Sequence, residues 1–252
     1  MRGSVKRWMG SLALGAAGVS ACSSDTTPPP PPAEPSWQIV EPNLDAALLS
    51  VWGSSADDVW SAGADVDGNG PLVMHFDGTS WTRQETGASG DLWWAHGFAS
   101  GPVYFGGEGG MILRWQDGVF TPMSTPGMGT VFGIWGDNPD DVWAVGGAPG
   151  GGQGAFAWRL EHGEGGADRW LPAPGFPEDL ARSDALWKVY GHGAEDVWMV
   201  GTGGKALHWD GLALTPSFTG QAESLFTVHA NSTHFAAVGG FVSGLLLERE
   251  IS

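Results

Sequence analysis

Residues 131–146 read VFGIWGDNPDDVWAVG, and this stretch decides the architecture because the chain repeats it. An apolar run, a polar turn over Asp137 to Asp141 and a second apolar run spell a β-hairpin. LLSVWGSSADDVWSAG at residues 48–63 and LWKVYGHGAEDVWMVG at 186–201 are close copies. LWWAHGFASGPVYFGG at 92–107 and LFTVHANSTHFAAVGG at 225–240 are weaker ones. A repeat has to be settled before any residue is given a role, because each copy is one supersecondary unit.

Two further short strands follow each copy. In the first unit the four strands are expected at Leu48 to Trp52, Val59 to Ala62, Leu72 to Phe76 and Ser80 to Thr82. Asp77-Gly78-Thr79 makes the last turn. The equivalent positions Trp52, His96, Trp135, Tyr190 and His229 are 44, 39, 55 and 39 residues apart. Four strands per roughly forty residues is the period of a β-propeller blade. Blades are expected over residues 48–87, 92–127, 131–184, 186–220 and 225–252 of an all-β domain spanning 36–252. The fifth unit lacks a fourth strand. Trp37 to Val40, within residues 36–41, is expected to pair with Leu245 to Glu248 and close a five-bladed ring, removing two open sheet edges. The alternative is part of a larger ring.

DVWAVG at 141–146 and LHWDG at 207–211, each near a Trp-bearing strand, resemble the β-propeller repeats of bacterial exported proteins, the kelch, BNR, tectonin and WD-repeat neighbourhood. The resemblance is to an architecture that hosts both binding modules and enzymes.

Composition agrees with short strands and tight turns: 42 Gly and 15 Trp stand in 252 residues, against only 2 Tyr. The net charge is −17, from 11 basic and 28 acidic residues. Three of the basic ones, Arg2, Lys6 and Arg7, lie in the first seven positions, so without that leader the balance is 8 − 28 = −20. Such a field repels phosphate backbones and excludes nucleic acid as a partner.

The leader itself, residues 1–21, has a basic start and a short apolar segment from Ser11 to Val19, too short to span a bilayer. Val19-Ser-Ala-Cys22 resembles the bacterial lipobox, which implies that Cys22 carries the lipid and begins the mature chain. Cys22 is the only cysteine, so no intrachain disulfide forms. Ser23 and Ser24 follow it, which by resemblance to Gram-negative sorting implies an outer-membrane lipoprotein. Residues 22–35, with prolines at 28–32, are expected to be a stiff tether. The expected partners are therefore the membrane, through Cys22, and a glycan or envelope protein.

Several residues could carry chemistry. The acidic pairs Asp57-Asp58, Asp140-Asp141 and Glu195-Asp196 recur at one repeat position, which reads as turn formation, since catalysis needs one asymmetric constellation. No catalytic residue is assigned. Asp65, Asp67 and Asn69 have the opening spacing of a calcium loop, with Gly70 at its sixth place. No other cofactor is expected. Trp52, His96, Trp135, Tyr190 and His229 form a ring at the ends of the first strands, either wedging blades together or rimming a ligand pocket. Lys188, the lone cation of a central strand, is placed to meet an anionic ligand. A binding module for glycans or surface proteins is the expectation. A propeller glycoside hydrolase or lyase and an envelope scaffold are the alternatives.

Overall fold

The computed structural model describes residues 36–148, 154–163, 167–180 and 184–250. The leader, Cys22 and the proline tether lie outside the described residues, as does most of the glycine-rich insertion at 148–154. The described residues from 41 to 250 belong to one compact unit, and residues 36–40 fall outside it. Among the described residues, no helix is long and apolar enough to cross a membrane.

Among the described residues the compact unit is all-β, with 19 strands in five antiparallel sheets. The first sheet holds β1 (Leu48–Ser55), β2 (Asp58–Gly63), β3 (Val73–Phe76) and β4 (Trp81–Arg83). The second holds β5 (Leu92–Gly97), β6 (Val103–Gly107), β7 (Ile112–Gln116) and β8 (Val119–Pro122). The third holds β9 (Thr130–Asn138), β10 (Asp141–Gly147), β11 (Phe156–Glu161) and β12 (Arg169–Pro172). The fourth holds β13 (Leu186–Gly193), β14 (Asp196–Gly201), β15 (Ala206–Trp209) and β16 (Leu214–Ser217). The fifth has three strands, β17 (Leu225–Ala230), β18 (His234–Gly239) and β19 (Leu245–Glu250). Each sheet is a meander in chain order, as the repeat pattern predicts.

The sheets stack face to face. Four buried apolar clusters join the first sheet to the second, the second to the third, the third to the fourth and the fourth to the fifth. The second strand of the repeat runs unbroken through this core: β10 is buried along its whole length, with Trp143 fully enclosed. Such tryptophans are the main hydrophobic holdfasts, each worth about 3–5 kcal/mol against alanine. The fourth strand of each incoming sheet covers the outer part of the seam, through Phe120, Trp170 and Leu214.

Polar groups fasten the second strand to the third. In the first sheet Asp58 accepts hydrogen bonds from the Trp60 indole (2.9 Å) and pairs with His75 (2.8 Å), whose ring stacks on Trp60. In the fourth, Asp196 does the same with Trp198 (3.1 Å) and His208 (2.6 Å). In the third, Arg159 replaces the histidine: it donates to Asp141 and lies over Trp143. The acidic pair thus divides its labour. Asp57 and Asp140 are exposed at the turn, while Asp58 and Asp141 belong to the sheet.

The closing strand expected at Trp37 to Val40 does not form. Residues 36–39 have no regular structure, Trp37 is fully exposed, and β19 is paired with β18 alone. Nor does any buried cluster among the described residues join the fifth sheet to the first. Val51 of β1 is 68% exposed, whereas its repeat equivalents Ala95, Ile134, Val189 and Val228 are buried. Leu246 on β19 is 65% exposed. Among the described residues, neither of these two outer faces is covered.

Candidate functional site

The first strand of every sheet carries a one-residue β-bulge at the same place. Leu48 pairs with Gly63 and Ser50 with Ala62, so Leu49 is skipped. Trp93, Phe132, Trp187 and Phe226 are skipped in the same way in β5, β9, β13 and β17. A bulge frees one residue from the ladder and re-aims its side chain. Here it does so five times, and all five residues line one cavity of about 420 Å3.

The repeat glycine makes this geometry possible. At Gly63, Gly107, Gly146, Gly201 and Gly239, a Cβ would overlap a backbone carbonyl at the start of the first strand, that of Ala47, Asp91, Thr130, Ala185 or Ser224. The final Gly of the DVWAVG signature is thus the residue that lets the second strand approach the bulged one so closely.

Neighbouring bulged rings touch around the cavity. Ring centres are 5.5 Å apart for Trp93 and Phe132, 4.7 Å for Phe132 and Trp187, and 6.2 Å for Trp187 and Phe226. Their planes are strongly inclined, so the wall is faceted and not a flat stack. The Trp187 indole nitrogen has no hydrogen-bond partner among the described residues.

Two residues one step further along the first strands add to the lining. The Trp94 indole donates to the Ile134 carbonyl (2.8 Å), which fixes its ring across to the next sheet. The Lys188 ammonium rests on that ring, 3.1 Å from its centre. Burial lowers the Lys188 pKa to about 8, so the amine is charged at neutral pH. Glu108 also lines the cavity, and its carboxylate accepts the Asp91 amide.

The structure therefore brings Lys188 to this cavity and places the other five sequence candidates elsewhere. Trp52, His96, Trp135, Tyr190 and His229 are absent from its lining and lean from sheet to sheet. Ring centres are 6.3 Å apart for Trp52 and His96, 5.9 Å for Trp135 and Tyr190, and 4.2 Å for Tyr190 and His229. Gly97 and Gly191 receive the Trp52 and Trp135 rings, whose edges fill the space a Cβ would need. His96 accepts the Gly136 amide (3.1 Å), and burial lowers its pKa to about 4, so it is neutral. This is a wedge between sheets.

At the calcium-like loop, the carboxylate of Asp65 accepts the Gly70 amide (3.0 Å) and the Gly90 amide (2.8 Å). Asn69 donates to Val66, and Asp67 takes a left-handed turn conformation at φ 61°. These contacts define a tied-down hairpin loop. Among the described residues, no group of three or more His, Cys, Asp or Glu side chains gathers into a metal-binding arrangement.

The sequence reasoning missed Leu49, Trp93, Phe132, Trp187 and Phe226. A signal for them existed. Each copy opens on two consecutive large apolar residues, Leu48-Leu49 through Leu225-Phe226, which breaks the alternation of a regular strand.

No family model matches the chain, and no curated protein matches it. Solved structures do. The WD40 β-propeller domain of Doa1 is similar over 77% of this chain, at 15% identity and a TM-score of 0.54. This chain spans 62% of that domain's length. The Aleuria aurantia lectin, a six-bladed fungal propeller described with a fucose recognition mode, matches over 81% of this chain and 74% of its own, at 14% identity and a TM-score of 0.52. The extracellular domain of a one component system of B. thetaiotaomicron matches over 82% of this chain and 31% of its own, at 13% identity and a TM-score of 0.57. At these identities the likeness is one of fold, and the fold is that of a β-propeller.

Proposed function

We propose that the five sheets are five propeller blades and that the domain is a binding module, held at the Gram-negative outer membrane by a lipid on Cys22, whose aromatic mouth takes a saccharide. The observation that carries this reading is the bulge repeated in all five first strands. Scaffold strands need no bulge to close a core, and this one turns a large apolar side chain into the same opening each time. Sugar rings present apolar CH faces, and inclined aromatic rings with a few polar groups are the surfaces that take them up. A cavity of about 420 Å3 has room for one or two sugar units. That a lectin shares the fold adds support.

Binding is favoured over hydrolysis because glycoside cleavage typically uses two carboxylates. Glu108 is the only carboxylate residue lining the cavity among the described residues. Asp58, Asp141 and Asp196 are each committed to a tryptophan-bearing sheet seam. The exposed faces at Val51 and Leu246 favour a second use, as a docking part of an envelope assembly.

A glycan array with the full chain tests the principal reading. Binding that Trp187→Ala abolishes, with melting unchanged, supports it; an array without a hit overturns it. Cys22→Ser should move the protein from the membrane to the soluble fraction, and retention in the membrane would remove the anchor from the proposal.

A further inference from the structure

The structure assigns Lys188 as the specificity-determining residue of the aromatic mouth: we propose that the ligand is an acidic saccharide whose single negative group meets the Lys188 ammonium. This rests on the reading of the mouth as a saccharide site.

Three observations carry it. Lys188 lines the cavity and lies against Trp94, yet forms no ion pair among the described residues. The other cations of the domain for which contacts are defined, Arg83, Arg114, Arg159, Arg169 and Lys205, each hold a carboxylate, apart from Arg249, which lies over Trp198. Lys188 is half-buried; charges drawn out of water are normally paired, and a ring face compensates an ammonium only in part. The scaffold, moreover, does not need a cation there. The repeat equivalents of Lys188 are Ser50, Trp94, Gly133 and Thr227. Four of five blades fold without the charge, so its place in the mouth asks for a partner from outside.

The surroundings also limit the ligand's charge. The chain carries a net −17, and Glu108 stands at the same cavity. A densely charged polyanion would be repelled on approach, whereas one carboxylate or sulfate on a sugar ring meets one cation. The aromatic wall supplies stacking, and Lys188 supplies the choice among sugars.

Calorimetry with the full chain tests this, using a galactose trisaccharide in which one unit is galacturonic acid, the matching neutral galactose trisaccharide and a monosulfated galactose trisaccharide. The acidic ligands should bind at least tenfold more tightly than the neutral one. That preference should fall between pH 7 and pH 9, as Lys188 loses its proton. Lys188→Met should abolish the preference, while Lys188→Arg should keep it. The comparison of ligands on the unaltered protein stands even if a variant fails to fold. Whether the carboxylated or the sulfated sugar binds better identifies the source of the charge. Equal binding of all three overturns the role of Lys188 and leaves the saccharide site standing. Binding of none overturns both.

Discussion

The ammonium of Lys188, on β13, sits 3.1 Å from the centre of the Trp94 ring, on β5, with the third sheet between their strands. Two sheets that are not neighbours thus meet at the mouth. Such contact is available only where strands converge, and it ties the two ends of the central three sheets together. Lys188→Ala should therefore cost little stability, about 1 kcal/mol from the lost ring contact, set against relief of a buried charge. Urea unfolding at pH 7 measures the balance; a loss of several kcal/mol would make Lys188 a structural residue.

The bulged residues and the seam tryptophans should separate cleanly on substitution. Phe132→Ala removes a ring from the mouth and should lower ligand affinity at least tenfold while unfolding shifts by under about 1 kcal/mol. Trp143→Ala empties a fully buried site in the seam and should cost about 3–5 kcal/mol. Denaturant titration of both variants, beside binding for the first, checks the division.

Glycine at the end of the second strand should tolerate no side chain. In Gly146→Ala the new methyl meets the Thr130 carbonyl and the Phe156 ring, and a loss beyond about 2 kcal/mol is expected. Gly244 has nothing within 4 Å of an added Cβ, so Gly244→Ala should change stability by no more than about 0.5 kcal/mol. Equal effects in the two variants would refute the close-approach role.

His96 makes the domain sensitive to mild acid. In the unfolded chain the ring takes a proton near pH 6.5, but in the folded chain only near pH 4, because it is buried. Between those values the unfolded state binds more protons, so stability falls as the pH drops from 6.5 towards 4. The accumulated loss is on the order of 3 kcal/mol. His96→Gln should flatten that slope, measured by denaturant unfolding at pH 7, 5.5 and 4.5.

Asp58 adds a second, more acidic phase. Burial works to raise its carboxyl, but hydrogen bonds from Ser54, His75 and Trp60 outweigh it, so its pKa lies below the ordinary 3.8. A depressed carboxyl contributes stability that is present above about pH 4 and lost as the pH falls through the folded value. Asp58→Asn should remove this steep acid limb and leave the His96 phase in place. An unchanged profile below pH 4 would show that the Asp58 network carries none of it.

The sheets were legible because every copy states the same hairpin. Leu48 to Trp52 and Val59 to Ala62 were expected as strands and lie within β1 and β2. The closing strand was not, because pattern alone made Trp37 to Val40 look like Ser80 to Thr82. Similar residues do not fix pairing when the partner is a distant edge. The acidic pair was half legible: a turn was visible in Asp57, but the bond between His75 and Asp58 joins strands whose register the sequence does not state. The mouth was missed for a related reason. Alternation places Trp52 and its equivalents towards the axis, and a bulge shifts that assignment by one residue.

The bulge leaves Leu49, Trp93, Phe132, Trp187 and Phe226 without a cross-strand partner. Their identities are not held by the ladder, while the glycine and tryptophan around them are. The mouth is in that sense a panel of five separately exchangeable contacts on a fixed frame. Recognition can drift one side chain at a time, and an engineer could re-address the domain by randomising five codons while the frame stays intact.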